Sequence, residues 1–459
     1  MRKRFGTQRA ALVLICASML VLATSGIARA NFTSPYTTQC SGGSTGGIGT
    51  SLQVNLASQW RFAFQEGASS LACPGTSSRV VYAPATSSSA VLAALGAASG
   101  VRNPAYRFAG NEEPPTLEQW LRIDLGDKPL ADSGLIRQIP VATTAVVPLV
   151  HFPEGCAIPS GEATSDGRFV VSNAQLEKVY AGVVATWGEL LPDIASSCAS
   201  TPIKRVVPGF SDGTTFVIKQ WLNTVNPSRG WPESVSQANT AWPNDSGATA
   251  TVRAEGNDRG EARLVAQTNG SIGYASLSDA RAERFGFFSP ANPKYEGTGL
   301  FWLSLQNGAG ERVEPTRDPD SGENNILGAN CDNPTFNYVP SGYDTTVTPV
   351  WRGVSAAGSK TGWPACTLIY DLAWDDSSTV FGNTEEEQAQ QRTVKDFVAY
   401  VLGPEGQEEA RNLDYSPLPS SLLADAQDGQ ARVGWNKIAG SKSNAIKTEI
   451  AAAEEHANP

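Results

Sequence analysis

The chain has 459 residues, and its Asp and Glu residues (45) outnumber Lys and Arg (35), which gives a formal net charge of −10. This excess of acid argues against a nucleic-acid or anionic-membrane surface. Charged residues are sparse at 17%, whereas Gly (44) and Pro (29) are abundant, so we expect a loop-rich globular protein long enough for two or more domains.

The first 30 residues have the pattern of a secretory signal peptide. A basic start precedes an apolar run over 10–23, and Ala28-Arg29-Ala30 matches a small-residue cleavage site. We therefore expect cleavage after Ala30 and a secreted protein, periplasmic or extracellular. Cys16 lies inside the apolar run with no small residue before it, so no lipid anchor is expected. No later stretch is apolar for long enough to span a bilayer.

Further along the chain, short apolar runs alternate with helical patterns, which predicts an α/β protein with mostly parallel strands. Strands are predicted at 79–82, 145–152, 203–207, 271–274, 300–303 and 367–370. Helices are predicted at 52–64, 172–187, 216–225, 262–268 and 384–402. Ser172 with Gln175, and Thr384 with Glu387, fit helix capping boxes. The irregular stretch 307–361 predicts long loops that can include a hairpin, and the polar stretch after Gly429 predicts a frayed end or a partly ordered helix.

Cysteine usage also indicates an exported protein. Removal of the leader leaves an even number of cysteines, which suggests disulfides. Sequential pairing is the simplest prediction, although a mixture of free and paired thiols stays open; the pairs would be Cys40–Cys73, Cys156–Cys198 and Cys331–Cys366. No C-x-x-C pair is present, so we expect no structural zinc site.

The segment SDGTTFVIKQWLNTV, over 211–225, is the most informative part of the sequence. Its apolar residues have helical spacing, and Asp212 or Ser211 is a suitable N-cap. Gly213 and Thr214 then offer free backbone N–H groups at the positive end of a helix, which is a ready anion site. The alternative is an ordinary capped surface helix.

Four other polar turns precede a helix or follow a strand: GIGTSLQ at 47–53, VVYAPATSSSAV at 80–91, FAGNEEPPT at 108–116 and AEGNDRGEARL at 254–264. Their order, together with the run DFVAYVLGPEGQEEARNLDYSPLPSSL at 396–422, resembles the phosphate-binding proteins of ABC phosphate importers. That resemblance implies a type II periplasmic-binding-protein fold, in which two α/β lobes with mixed sheets flanked by helices enclose a ligand cleft. It divides the chain into a first lobe (31–145 and 366–428), a second lobe (146–300), a loop-rich insertion or crossover (301–365) and a C-terminal tail (429–459).

The resemblance also implies a ligand-binding set: Ser51, Leu52, Ser87, Glu112, Asp212, Gly213, Thr214 and Asn257. Neutral hydroxyl, amide and N–H donors of this kind suit a dehydrated oxyanion. Glu112 stands where the family has an aspartate that accepts a proton from bound phosphate. The resemblance further implies a monomer that passes its ligand to a membrane permease, without catalytic residues, metal or cofactor.

Two positions depart from the family pattern. Pro208 replaces an arginine, and Asp212 replaces a serine. A carboxylate about 4 Å from an anion costs on the order of 4 kcal/mol at an effective dielectric of 20. Either Asp212 turns away to cap the helix, or the ligand is not plain phosphate. Arg205, Arg253 or Arg259 could replace the missing charge, or each could be a solvated surface residue.

Other chemistry is weakly represented in the sequence. GGSTG places Ser44 in a nucleophile-elbow pattern, but no apolar strand precedes it, and the only histidines are His151 and His456. The tryptophans at 60, 187 and 221 lie on apolar helix faces, which favours core packing over a sugar site. Two pairs of acids, Asp318 with Asp320 and Glu112 with Glu113, could suggest a glycosidase, but acids so close in one turn rarely converge on a glycosidic bond. The acidic loop 318–323 also lacks the full spacing of a calcium-binding loop.

The leading hypothesis is therefore a secreted protein that binds phosphate or a related oxyanion for ABC-type import. The alternative is a protein of the same fold that has lost phosphate and binds another small solute, or serves in adhesion or signalling. A secreted hydrolase ranks below both.

Overall fold

A computed structural model describes residues 37–126, 135–162, 169–231, 240–245, 251–255, 260–287, 299–316, 328–331, 336 and 349–435. The expected signal peptide, Asn257, Arg259 and the acids at 318 and 320 lie outside these residues, as does His456. Over the described ranges, every helix is too short or too polar to cross a membrane.

Twelve strands are found in the described residues: β1 Ser44–Gly49, β2 Arg79–Pro84, β3 Phe108–Asn111, β4 Ile136–His151, β5 Lys204–Pro208, β6 Thr251–Ala254, β7 Ser271–Ser276, β8 Gly286–Phe287, β9 Leu300–Trp302, β10 Leu305–Gln306, β11 Arg312–Val313 and β12 Cys366–Trp374. The helices are α1 Ser51–Glu66, α2 Ser88–Ala94, α3 Leu117–Leu125, α4 Asn173–Tyr180, α5 Trp187–Leu190, α6 Ser196–Ala199, α7 Gly213–Val225, α8 Gly260–Gln267, α9 Leu277–Ala282, α10 Ser378–Phe381, α11 Glu385–Val401, α12 Pro404–Asn412 and α13 Ser420–Arg432.

The main sheet has the strand order β2-β1-β3-β12-β4-β7-β5-β6, and β9 with β8 adds to it beside β4. β1, β2 and β3 are parallel, as are β5, β6 and β7, but β4 and β12 run antiparallel to their neighbours. The sheet is therefore mixed, as the family resemblance implies, and the expectation of mostly parallel strands is too simple.

β4 connects the two halves of the sheet. Its 16 residues are all buried. Residues 136–145 pair with β12, whereas residues 146–151 pair with β7 and β9. We call the first half, with β1, β2, β3 and β12, lobe I, and the second half, with β5 to β9, lobe II. The strand passes from lobe I to lobe II between Ala145 and Val146.

The capping boxes predicted at two helices are present. Ser172 and Gln175 cap α4, and Thr384 and Glu387 cap α11. The single helix predicted over 172–187 is wrong, however. α4 ends at Tyr180, and Gly182 then takes a positive φ of 65°, which ends the helix and separates it from α5.

The strand β1 was not predicted, because its sequence STGGIG lacks the branched and aromatic residues typical of strands. Its glycines are required by close approach. A Cβ on Gly47 would lie 2.4 Å from the Phe108 ring, and one on Gly49 would lie 1.7 Å from the Tyr82 hydroxyl oxygen. The strand thus forms because β2 and β3 pair with it on both sides.

The three sequential disulfides are confirmed: Cys40–Cys73, Cys156–Cys198 and Cys331–Cys366. The Asp396 carboxylate lies close to the first of them and accepts hydrogen bonds from the Gln39 and Cys40 N–H groups, at 3.1 and 2.8 Å. Trp60, Trp187 and Trp221 are buried in the core, as expected.

The stretch predicted as loops contains regular structure in its described part. Just before it, the strand predicted at 300–303 is confirmed as β9, which pairs with β4 in lobe II. β10 and β11 form an antiparallel hairpin. A short 3-10 helix over Pro349–Gly353 carries Arg352, which contacts both lobes as described below. At the other end, α13 extends to Arg432, so it includes the start of the predicted tail.

Candidate functional site

The N-terminus of α7 lies just after the carboxyl end of β5, a strand of the lobe II sheet. Asp212 is its N-cap, as predicted, with extended backbone angles. The Oδ2 atom of Asp212 accepts a hydrogen bond from the Thr214 N–H at 3.0 Å and another from the Thr214 hydroxyl. The Asp212 carboxylate thus caps the helix, and it accepts hydrogen bonds from Thr214 groups that the sequence analysis expected to bind a ligand.

The Glu112 side chain reaches this helix end from lobe I. It follows β3 directly and is fully buried. Its Oε1 atom accepts hydrogen bonds from the Ser88 hydroxyl at 2.7 Å and from the Gly213 N–H at 3.1 Å. Its Oε2 atom accepts one from the Thr50 hydroxyl. We call these three donors, Thr50 Oγ1–H, Ser88 Oγ–H and Gly213 N–H, the donor cradle.

Each member of the donor cradle is placed by the start of a helix. Thr50 is the N-cap of α1, but its hydroxyl makes no capping bond to that helix. Ser88 is the first residue of α2, and Gly213 is the first residue of α7. Helix N-termini carry partial positive charge, so all three positions favour a negative group. Donors from both lobes therefore converge on one carboxylate.

A glycine is required at 213 because the Glu112 side chain lies against it. A Cβ at this position would lie 1.9 Å from Glu112 Cγ and 2.2 Å from Glu112 Oε1. Any larger residue displaces the carboxylate. The close contact across the lobes therefore depends on the absence of a side chain at the start of α7.

The site holds several buried acids whose charges oppose one another. Burial, followed by the charge of Asp212, raises the pKa of Glu112 to about 7. Burial also raises the pKa of Asp212. The pKa of Glu261 is well above its usual value because of burial and then the charge of Asp212. Burial thus disfavours the charged form of each of these acids relative to an exposed carboxyl group.

Among the described residues, the guanidinium of Arg352 borders the site. Its Nη1 atom donates to the Pro114 carbonyl at 2.8 Å, and its Nη2 atom lies 3.5 Å from Glu113 Oε1. The same guanidinium lies over the Phe216 ring of α7, 5.0 Å from the ring centroid. Burial raises the pKa of Glu113, and the charge of Arg352 opposes that rise. Arg352 thus joins the acidic turn of lobe I to a helix of lobe II.

Of the three arginines considered as replacements for the missing family arginine, Arg205 and Arg253 have other partners, and Arg259 lies outside the described residues. Arg205 is buried and donates to Thr251 Oγ1 at 2.8 Å and to the Pro243 carbonyl at 3.0 Å. Arg253 forms an ion pair with Asp245. Both side chains are thus held by lobe II groups outside the donor cradle. Arg352, which sequence reasoning missed, comes from the irregular stretch and has no local pattern that marks it.

The predicted ligand set is only partly brought together. Glu112, Asp212, Gly213 and Thr214 form one cluster. The Ser87 hydroxyl instead caps α2 by accepting the Ala90 N–H at 3.1 Å, and its neighbour Ser88 reaches Glu112. The Leu52 side chain is buried, and its carbonyl accepts the Tyr415 hydroxyl at 2.6 Å. Ser51 begins α1, but its side chain and all of Asn257 lie outside the described structure.

Thr50 and Ser88 are the hydroxyl residues that sequence reasoning missed. Each is adjacent to a predicted residue, in the motifs GIGTS and TSSS. The signal for Thr50 was its place directly before a helix. Of the residues considered for a serine hydrolase, the two that the structure describes lie apart: Ser44 is exposed at the start of β1 in lobe I, and His151 is at the end of β4 in lobe II.

Comparison with known proteins places these features in a family. A model described as the PBP superfamily domain matches residues 36–327. The phosphate-binding protein PstS of Xylella fastidiosa strain Temecula1 is 25% identical over 312 residues, which covers 66% of this chain and 70% of that protein. Alkaline phosphatase L of Pseudomonas aeruginosa is 30% identical over 184 residues, 37% of this chain and 47% of that protein.

Solved structures agree on the fold. A phosphate-binding protein from Stenotrophomonas maltophilia superposes with a TM-score of 0.54 at 15% identity, covering 84% of this chain and 93% of that one. A structure described as a DING protein gives a TM-score of 0.56 at 17% identity, with the same shares covered. The family model spans more than half of the chain, and the mixed, two-lobed sheet agrees with it. The chain therefore belongs to the PBP superfamily.

Proposed function

We propose that this protein binds phosphate or a related small oxyanion in the cleft between lobes I and II, and delivers it to an ABC-type permease. The observation that carries the proposal is the donor cradle: two hydroxyls of lobe I and one backbone N–H of lobe II converge on a buried negative group. Donors that are neutral and preorganised suit a small anion stripped of water.

The similarity to a protein named for phosphate binding supports this ligand class. In the proposed arrangement, the donor cradle holds the anion, and Ser51, Leu52, Ser87 and Thr214 lie at the starts of the same three helices. Asn257, outside the described residues, stays a predicted contact. The lobes would follow the division at 145 and 146 at which β4 changes partners. We further propose a monomer, exported by a leader cleaved after Ala30.

The test is a calorimetric titration with inorganic phosphate. We expect wild-type protein to bind. In a Glu112→Ala background, in which no side-chain carboxylate accepts from the same donors, Thr50→Val and Ser88→Ala should each bind about ten- to a hundred-fold more weakly than that background, since a hydrogen bond to a charged group contributes about 1.5–3 kcal/mol. Ser44→Ala, an exposed serine at the start of β1, is the control and should bind as wild type does. Unchanged affinity in both cradle variants would refute the site.

A second candidate function has one observation in its favour. The Asp212 carboxylate already occupies N–H donors of α7, and Pro208 stands before it without a positive charge. A different small solute, or a role in adhesion or signalling, would then replace phosphate. A calorimetric titration in which phosphate produces no heat of binding, while another solute does, would favour this candidate.

A secreted hydrolase ranks third, although one relative carries the name of a phosphatase. An assay with p-nitrophenyl phosphate should show no turnover above buffer.

A further inference from the structure

The donor cradle is occupied by a group of the protein itself. The Glu112 carboxylate accepts from all three donors, two from lobe I and one from lobe II. It is completely buried. A carboxylate held by three converging donors is bound as a small anion would be bound.

The carboxylate and an external oxyanion cannot use these donors together. The Glu112 side chain fits against Gly213 so closely that a single added methyl group would lie 1.9 Å from its Cγ atom. Each hydroxyl has only one proton to donate, and so has the Gly213 N–H. An anion that binds to the cradle must therefore displace the carboxylate from it.

We propose that Glu112 is an internal competitor, which occupies the donor cradle in the absence of ligand, holds lobe I against lobe II and is displaced when the oxyanion binds. This inference rests on the proposed function of the cradle. It differs from the role that the family resemblance implies for this position, in which the acid contacts the bound anion through a shared proton. The two roles predict opposite effects when the carboxylate is removed.

Glu112 is one of several side chains that join the two lobes. The bond from Gly213 to Glu112 adds to the bond from Asn55 of α1 to Ser278 of α9, at 3.2 Å, which also joins the lobes. The ion pair of Arg281 with Asp414, at 2.7 Å, does the same. A competitor that is bound for about 90–99% of the time weakens the apparent affinity for an external ligand about ten- to a hundred-fold.

The experiment compares inorganic phosphate binding by wild type, Glu112→Ala and Glu112→Gln in calorimetry. We expect Glu112→Ala to bind at least about tenfold more tightly than wild type, with Glu112→Gln changed in the same direction. Asp371→Asn is the matched control, because it removes a buried carboxylate of lobe I that touches none of the three donors. Its affinity should stay within about threefold of wild type.

Three results would overturn the inference. If wild type binds phosphate and Glu112→Ala binds equally or more weakly, the proposed function stands and only the competitor role fails. If Asp371→Asn gains as much phosphate affinity as Glu112→Ala, the gain comes from the loss of negative charge in general and not from release of the donor cradle. If no variant binds phosphate at all, both the proposed function and the inference fail.

Solution scattering gives a second readout that does not depend on affinity. Ligand-free Glu112→Ala should have a larger radius of gyration than ligand-free wild type, and phosphate should contract it. Wild type should change little, because its lobes are already held together. A wild type that contracts on phosphate as much as Glu112→Ala contradicts the proposal, and circular dichroism establishes that each variant is folded.

Discussion

Replacement of Gly213 by alanine tests the contact between the lobes most directly. Intrinsic helix propensity favours the change by up to about 1 kcal/mol. The added methyl group, however, would lie 2.2 Å from Glu112 Oε1, well below the 3.0 Å that real Cβ contacts respect. The carboxylate must therefore move away from Gly213 and Ser88. Loss of two hydrogen bonds to a charged group, at about 1.5–3 kcal/mol each, partly offset by propensity and by new water contacts, gives a net destabilisation of about 2–4 kcal/mol.

The assay is urea denaturation at pH 8, with Gly358→Ala as the control. A Cβ at Gly358 has no neighbour within 4 Å, so its effect should stay within about 0.5 kcal/mol. In a Glu112→Ala background, Gly213→Ala has nothing to displace and should be neutral or stabilising, which gives a coupling energy of about 2–4 kcal/mol between the two sites. A Gly213→Ala variant as stable as wild type, or equally destabilised in both backgrounds, would refute this reasoning.

Three further predictions follow from single contacts. Ser87→Ala removes the cap of α2 and should lower the free energy of unfolding by about 1 kcal/mol without weakening phosphate binding; a large loss of affinity in calorimetry would contradict the placement of its hydroxyl. Burial raises the pKa of Asp371 from 3.8 to about 7, because the folded protein favours the protonated carboxyl. The stability that this proton binding contributes is complete below about pH 4 and is lost as pH rises through 7. Asp371→Asn, which keeps the acceptor for Gln53, should therefore be more stable than wild type by up to about 4 kcal/mol at pH 8 and not at pH 4 in urea denaturation; a constant difference at both pH values would exclude this titration. Replacement of Cys331 and Cys366 by serine should cost about 2–4 kcal/mol in thermal or urea unfolding, and an unchanged midpoint would show that the bridge does not limit stability.

Local patterns account for the parts of the fold that the sequence predicted correctly. α7 and its cap at Asp212 follow from helical spacing and from N-cap preference. β5 and β7 follow from short apolar runs. The glycine-rich β1 could not be found in this way, because its strand conformation depends on the two strands that pair with it.

The site was predictable to within one residue in places and not at all in others. In the run of three serines, Ser87 becomes the N-cap, with φ of −164°, and its hydroxyl turns back onto α2. Ser88 is then left to donate to Glu112. Nothing in the serine run alone decides which serine takes the extended conformation. Arg352 lies far from Glu113 in sequence, so only the folded chain brings the two together.

The position of β12 determines when lobe I can become complete. This strand lies between β3 and β4 in space, yet it follows both of them by more than 200 residues in the chain. During synthesis the chain therefore presents β3 and β4 as two strands with unpaired edges on either side of a gap, and such edges readily pair with other polypeptides. A product that terminates before Cys366 would retain this gap permanently. We expect such truncated chains to aggregate or to be degraded, whereas the intact chain closes its sheet only after its last quarter has been delivered.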